Sequence, residues 1–152
     1  MPEVATPLDP APDRVHDPAG LALRRTVRVG WLLLAISLPF GVVLEAFHAL
    51  KAPLYLGSDV RREMWRLAHA HGTLLGVVCL VFAALAPVHV AQRIRASVAR
   101  QIRWGAVLMP LGFFAGGIFN SEGDPSLGVL LTPVGAVLLI VALARVAATR
   151  GT

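Results

Sequence analysis

Charge is the scarcest commodity in this chain. Charged residues make up 15% of its 152 positions, and only nine of those are acids. A soluble domain of this size carries about a quarter charged residues, so an ordinary water-facing surface is excluded. Cysteine is nearly absent. The single Cys79 rules out a disulfide within the chain and the Cys-rich metal motifs; it reads as a packing residue. No Gly-rich phosphate loop occurs, and no nucleophile stands at a recognisable spacing from a base, so no enzyme class has a motif of its own here. Internal repeats are absent too. The net charge of +5 and the isoelectric point near 11.0 raise the question of nucleic acid. The arginines, however, sit in short segments beside apolar runs, where they act as topology signals, and no nucleic-acid partner is expected.

What fills the space left by charge is hydrocarbon. Hydrophobic residues are 56% of the chain, and the mean hydropathy is +0.68. They fall into four runs, 27–50, 67–90, 102–120 and 127–148. Each is close to the roughly 20 residues a helix needs to cross a bilayer. None carries the continuous polar stripe of a surface helix. The prediction is all-α: a four-helix transmembrane bundle with short loops, made of residues 21–152, with the lipid bilayer as its principal partner. Residues 1–20 differ. They hold five of the eleven prolines and the acids Glu3, Asp9, Asp13 and Asp17, without apolar periodicity, and read as a disordered tail. Arg24, Arg25 and Arg28 precede the first run, but that run exceeds a signal-peptide core of about 7–15 residues. It is expected to be an uncleaved span.

Orientation follows from lysine and arginine in the short segments. Arg24, Arg25 and Arg28 flank the first run. Arg93, Arg95, Arg100 and Arg103 separate the second and third, and Arg145 and Arg150 end the fourth. The SEGDPS turn between the third and fourth runs has Glu122 and Asp124 and no base. A multi-pass protein of the bacterial inner membrane with both termini cytoplasmic fits this distribution. The first loop is nearly balanced in charge, and its DVRREMWRL segment is expected as a short helix lying on the outer surface. Trp31 and Trp104 would mark the inner interface, Tyr55 and Trp65 the outer one.

With that topology, polar groups converge at one level. Glu45 and His48 lie near the outer end of the first span, and His69 and His71 near the outer start of the second. At about 1.5 Å per residue all four fall within roughly 10 Å of the outer boundary. Small residues define four seams along which helices should meet: Gly41, Glu45, His48 and Ala49; His69, Gly72, Thr73, Gly76 and Ala83; Met109, Gly112, Gly116 and Asn120; Gly128, Thr132, Gly135 and Ala136. Pro39, Pro110 and Pro133 are expected to kink their spans. His71 is offset from His69 by about 200° on a regular helix, so His69 is favoured for the interior and His71 for a neighbouring contact.

Three chemistries suit this cluster. Glu45 and His48 form a Glu-x-x-His pair, the spacing used in bundle di-metal sites. With His69, and His71 as a fourth candidate, it offers ligands for a transition metal ion or a histidine for haem iron, so His69 and His71 are also the cofactor-binding candidates. The second reading is a carboxylate–imidazole lock between the first two spans. The third is a proton or solute pathway, since ionisable groups in a membrane are costly and usually functional. As a carrier, four spans would require a homo-oligomer. As a lock, the chain would be an accessory or assembly subunit of a larger membrane complex.

At FGVVLEAFHALK followed by LAHAHGTLLG, the sequence resembles a group of small bacterial four-helix integral membrane proteins. In these, an acid near the end of the first span precedes a His-x-His on the second. More distantly it is similar to helices of the haem–copper oxidase superfamily. That resemblance covers roughly residues 40–80. It implies a haem or metal ligand role for the histidines or a part in assembling such complexes. The superfamily's catalytic subunits have more spans and further histidines, which this chain lacks, and this argues against an oxygen-reducing centre.

Overall fold

The protein is described by a computed structural model covering residues 17–120 and 123–148. Among these residues it is all-α. Helix α1 spans Pro18–Ala49, α2 Pro53–Leu56, α3 Asp59–His89 and α4 Gln92–Ile118. A 3₁₀ turn, Leu127–Leu130, leads into α5, Leu131–Ala147. Three helices, α1, α3 and the continuous Leu127–Ala147 segment, are long and apolar enough to cross a membrane.

The long helices pack antiparallel in chain order. A Cβ placed on Gly30 would meet the Gly76 carbonyl at 2.9 Å, and one on Gly41 would run into the His69 ring. Ascending α1 therefore descends α3. The same reversal joins α4 to α5, where Gly105 faces Leu139 and the Gly135 carbonyl, Gly112 faces Thr132, and Gly116 faces Val129. Backbones approach this closely only because side chains are missing at the contact. Helix α4 is central and packs on α1, α3 and α5. Its Val98, Ala99, Ile102 and Ala106 are buried, with Cys79, Leu75 and Ala142 beside them. A second cluster closes the other end. There Leu44, Tyr55 and Trp65 are buried against Phe40, Phe47 and Phe114, and Trp65 stacks on Phe114 at 5.7 Å.

Several boundaries differ from the sequence reading, each for a local reason. Residues 18–20, assigned above to the tail, are helical, because α1 extends below its apolar run to bury Ala19, Ala22 and Thr26; residues 1–16 lie outside the described part. Helix α4 likewise begins at Gln92, ten residues before the apolar stretch. Its arginine-bearing turns are amphipathic and bury Val98 and Ala99. The DVRREMWRL segment is not a separate surface helix. It is the first part of α3: Ser58 caps it, its side chain accepting from the Arg61 N–H at 3.2 Å, and Trp65 is anchored to α4 through Nε1 donating to the Phe114 carbonyl at 3.2 Å. Pro39 and Pro110 do lie inside helices. Pro133 stands in the first turn of α5, where a missing N–H costs little.

The turn after α1 is a Schellman-type cap. Lys51 N–H donates to the His48 carbonyl at 3.1 Å and Ala52 N–H to the Phe47 carbonyl at 2.9 Å. Lys51 sits in the left-handed region at φ 52°. This reversal sends the chain into α2 and then back down α3, placing the start of α3 beside the end of α1.

Candidate ligand groove between α1 and α3

The buried line of α1 is not the seam expected. It runs through Gly30, Ser37 and Leu44, a seven-residue spacing that keeps one face toward α3. Gly41 joins this face, but Glu45, His48 and Ala49 are exposed. The reason is their place at the end of the helix. At the end of a helix a carboxylate and an imidazole reach water by turning outward, and burial would cost them their hydration.

Outward is not apart, however. An open groove of about 820 Å³ runs between the end of α1 and the start of α3. Glu45 and His48 line it from α1; Arg62, Glu63, Arg66 and His69 line it from α3. Leu38 and Val42 continue it along the apolar part of α1, so the groove is polar at one end and hydrocarbon at the other. Tyr55 borders it from α2. Its hydroxyl is held above the ordinary range for a phenol, chiefly by burial, against which Arg66 and Arg62 pull the other way. Arg62 is paired with Asp59 at 2.8 Å. Glu45, His48, Glu63 and Arg66 make no hydrogen bond or ion pair among the described residues.

His69 is the best positioned of these groups. Its Nδ1 lies 2.8 Å from the Ser37 carbonyl of α1. A carbonyl only accepts, so Nδ1 carries the proton and Nε2 of the neutral ring keeps its lone pair. Gly41 makes room for the imidazole, since a Cβ there would stand 2.7 Å from Nδ1. His71 points elsewhere. Its Nδ1 lies 2.9 Å from the Leu67 carbonyl one turn earlier, and its ring packs on Phe113 of α4 at 4.8 Å. Helix α3 is unbroken from Asp59 to His89, so the two histidines stay on opposite faces. Of the four proposed ligands, the groove brings together Glu45, His48 and His69 and leaves out His71. Among the described residues no group of three His, Cys, Asp or Glu side chains is arranged to hold a metal ion. Asp124 is exposed and away from the groove, and Glu122 lies outside the described residues.

Sequence reasoning missed a neighbouring arginine. Arg61 donates from Nε to the Gly117 carbonyl at 2.9 Å, from Nη1 to the Leu54 carbonyl at 2.7 Å, and more weakly from Nη2 to the Ile118 carbonyl at 3.3 Å and Asn120 Oδ1 at 3.4 Å. It also lies 5.8 Å over the Trp65 ring. Asn120 in turn donates to Ser58 Oγ at 2.6 Å. This clamp fastens α2, α3 and the end of α4 together and fixes the wall that carries Arg62, Arg66 and His69. The signal that could have found it is the position of Arg61 three residues after a serine cap, with Trp65 four residues further on the same face.

Comparison of the chain with protein-family models, with curated proteins and with solved structures finds no match.

Proposed function

We propose that this chain is a four-span integral protein of the bacterial inner membrane that binds a small amphiphile in the α1–α3 groove. In this reading the N-terminal end of α1 and the C-terminal end of α5 face the cytoplasm, and the groove opens at the outer leaflet. Helix α4 is taken as the fourth span because it packs between three partners and carries no charged residue from Trp104 to Ile118. Its arginines, like those flanking α1, then fall on the cytoplasmic side.

The observation that carries the ligand proposal is the composition of one groove. Acids, arginines and imidazoles from two helices gather at its polar end without neutralising one another, and Leu38 and Val42 supply an apolar floor beyond. Its size lies in the range of about 300–1,000 Å³ typical of small-molecule clefts. A ligand with a charged or hydrogen-bonding head and a hydrocarbon part would meet both regions at once.

A second reading, a metal ion or haem iron bound by His69, draws on one specific feature. Metal-ligating histidines usually donate their other ring N–H to a carbonyl or carboxylate, as His69 does to Ser37. Glu45 and His48 would have to turn inward to complete such a centre.

The deciding experiment uses protein purified in mild detergent without a metal-binding tag. Its ultraviolet–visible spectrum and elemental content are measured, and an organic extract of the same sample is analysed by mass spectrometry. The proposal expects a colourless, metal-poor protein with a co-purified amphiphile that is depleted in a His69→Ala, Arg66→Gln variant. A Soret band or near-stoichiometric zinc, copper or iron lost in His69→Ala would replace it with the second reading. If the extract is unchanged by the substitutions and only thermal stability falls, the cluster is a lock between helices and the groove reading is wrong.

A further inference from the structure

The opposite end of the bundle holds a cluster that the groove does not use. Its centre is Arg103 of α4, which is half-buried. Arg103 Nη1 donates to the Ala22 carbonyl at 2.9 Å and to Thr26 Oγ1 at 3.1 Å. Thr26 is fully buried, and its own hydroxyl donates to the same Ala22 carbonyl at 2.9 Å. The guanidinium is thereby fixed against α1 by one nitrogen. Its Nε and Nη2 groups make no hydrogen bond among the described residues, and together they form the side of the fork that fits a carboxylate or phosphate.

The surroundings are predominantly basic. Arg25 and Arg100 are near enough to act on Arg103 electrostatically, and both repel it. Asp17, beside Gly20 at the start of α1, is the one acid among the described residues at this end. Two basic neighbours beside a half-buried guanidinium with an open donor edge favour a bound anion. Depth says which anion. Ala22 is 23 residues from Glu45 along α1, about 35 Å at 1.5 Å per residue, slightly more than the roughly 30 Å hydrocarbon core. With Glu45 at one boundary, Arg103 meets α1 at the level of the other leaflet's headgroups. Trp31 and Trp104, exposed by 61% and 56%, lie on the apolar side of that level, where interfacial tryptophans belong.

We infer that Arg25, Arg100 and Arg103 form a binding site for the phosphodiester of an anionic phospholipid in the leaflet at the arginine-rich end. Arg103 supplies a fixed two-point contact through Nε and Nη2, and Arg25 and Arg100, both exposed, supply the charge that selects an anionic over a zwitterionic head. This rests on the membrane reading alone and is independent of what the groove binds.

The test uses the full chain in a nonionic detergent, titrated separately with phosphatidylglycerol, phosphatidylcholine and inorganic phosphate, and followed by native mass spectrometry and thermal denaturation. Phosphatidylglycerol is expected to bind preferentially and to raise the melting temperature, while the other two leave it unchanged. Each basic residue near a membrane surface contributes about fivefold to such a preference. An Arg25→Gln, Arg100→Gln variant, altered only at exposed positions, should therefore lose roughly 25-fold while still folding. Arg103→Gln should lose the retained lipid adduct. Equal binding of phosphatidylcholine, or full preference surviving in the double variant, overturns the inference. A shift produced equally by inorganic phosphate overturns the lipid as its ligand.

Discussion

Replacing Arg61 by alanine should destabilise the protein more than replacing any other arginine on α3, and the expected size follows from its bonds. Two are short: Nε to the Gly117 carbonyl at 2.9 Å and Nη1 to the Leu54 carbonyl at 2.7 Å. The two to Ile118 and Asn120, at 3.3 and 3.4 Å, are near the limit of a useful bond. A hydrogen bond from a charged donor contributes about 1.5–3 kcal/mol. The Leu54 bond is exposed and counts at the low end. The Gly117 carbonyl belongs to the last turn of α4, where carbonyls lack helical partners, so losing Arg61 strands it. The expected loss is about 2–4 kcal/mol, with a further contribution of about 0.5 kcal/mol from the Trp65 ring. Lysine carries the charge but not the fork, and Arg61→Lys should recover less than half. Arg66, five residues on, is exposed and makes no hydrogen bond or ion pair among the described residues, so Arg66→Ala should change stability by less than about 0.5 kcal/mol. Denaturation in mixed micelles, followed by circular dichroism, ranks the three. If Arg61→Ala and Arg66→Ala unfold alike, the clamp does not hold α4 to α3.

Three further outcomes are expected. Gly41→Ala gains about 1 kcal/mol of helix propensity but drives its Cβ into the His69 ring; with the Ser37 bond lost and the wall repacked, it should be destabilising by about 1–2 kcal/mol in the same denaturation assay, and neutral or stabilising in a His69→Ala background. Lys51→Gly should stabilise by about 0.5–1 kcal/mol, because the left-handed position in the α1 cap then holds a residue without a Cβ; a lower melting temperature would refute the cap assignment. Tyr55, the only tyrosine, should ionise above its ordinary value of 10.0 in a spectrophotometric titration of folded protein. Since the folded value is the higher one, its contribution to stability is complete below pH 10 and lost as pH rises through the folded value, and Tyr55→Phe should abolish that alkaline loss.

The helices were legible in the sequence because hydrocarbon runs of membrane length have few other uses. Their ends were less so. A hydropathy reading stops where arginines begin, and both α1 and α4 continue through such turns because Ala22 and Thr26 on one, and Val98 and Ala99 on the other, still face the bundle. The glycines predicted for the seams of the second, third and fourth apolar runs do lie at close contacts between segments. On α1 the expected seam is packed at Gly41 but not beyond it, where Glu45, His48 and Ala49 are exposed. Glu45 and His48 are spaced to share a face, and spacing alone cannot tell whether that face meets a helix or an open surface. The face of α1 that packs on α3 is marked instead by Gly30, Ser37 and Leu44, a seven-residue repeat with no charge to draw the eye. Arg61 was overlooked for the opposite reason. Its charge was taken as a loop signal, whereas its work is done by planar geometry against backbone carbonyls of α2 and α4.

The two histidines of LAHAHGTLLG serve different interfaces. A helix with neighbours on two sides buries two faces, and α3 packs on both α1 and α4. Residues two apart point in nearly opposite directions on such a helix, so each imidazole finds a different interface. His69 donates across to the Ser37 carbonyl of α1. His71 donates back to Leu67 and lays its ring on Phe113 of α4. In both, Nδ1 is the nitrogen committed to a backbone carbonyl. The difference between them lies in what each ring borders. Beside His69 are Glu45, His48 and the arginines of a laterally open groove, and beside His71 is an aromatic ring. The same side chain, two residues apart on one continuous helix, is therefore a candidate ligand contact in one place and a packing element in the other.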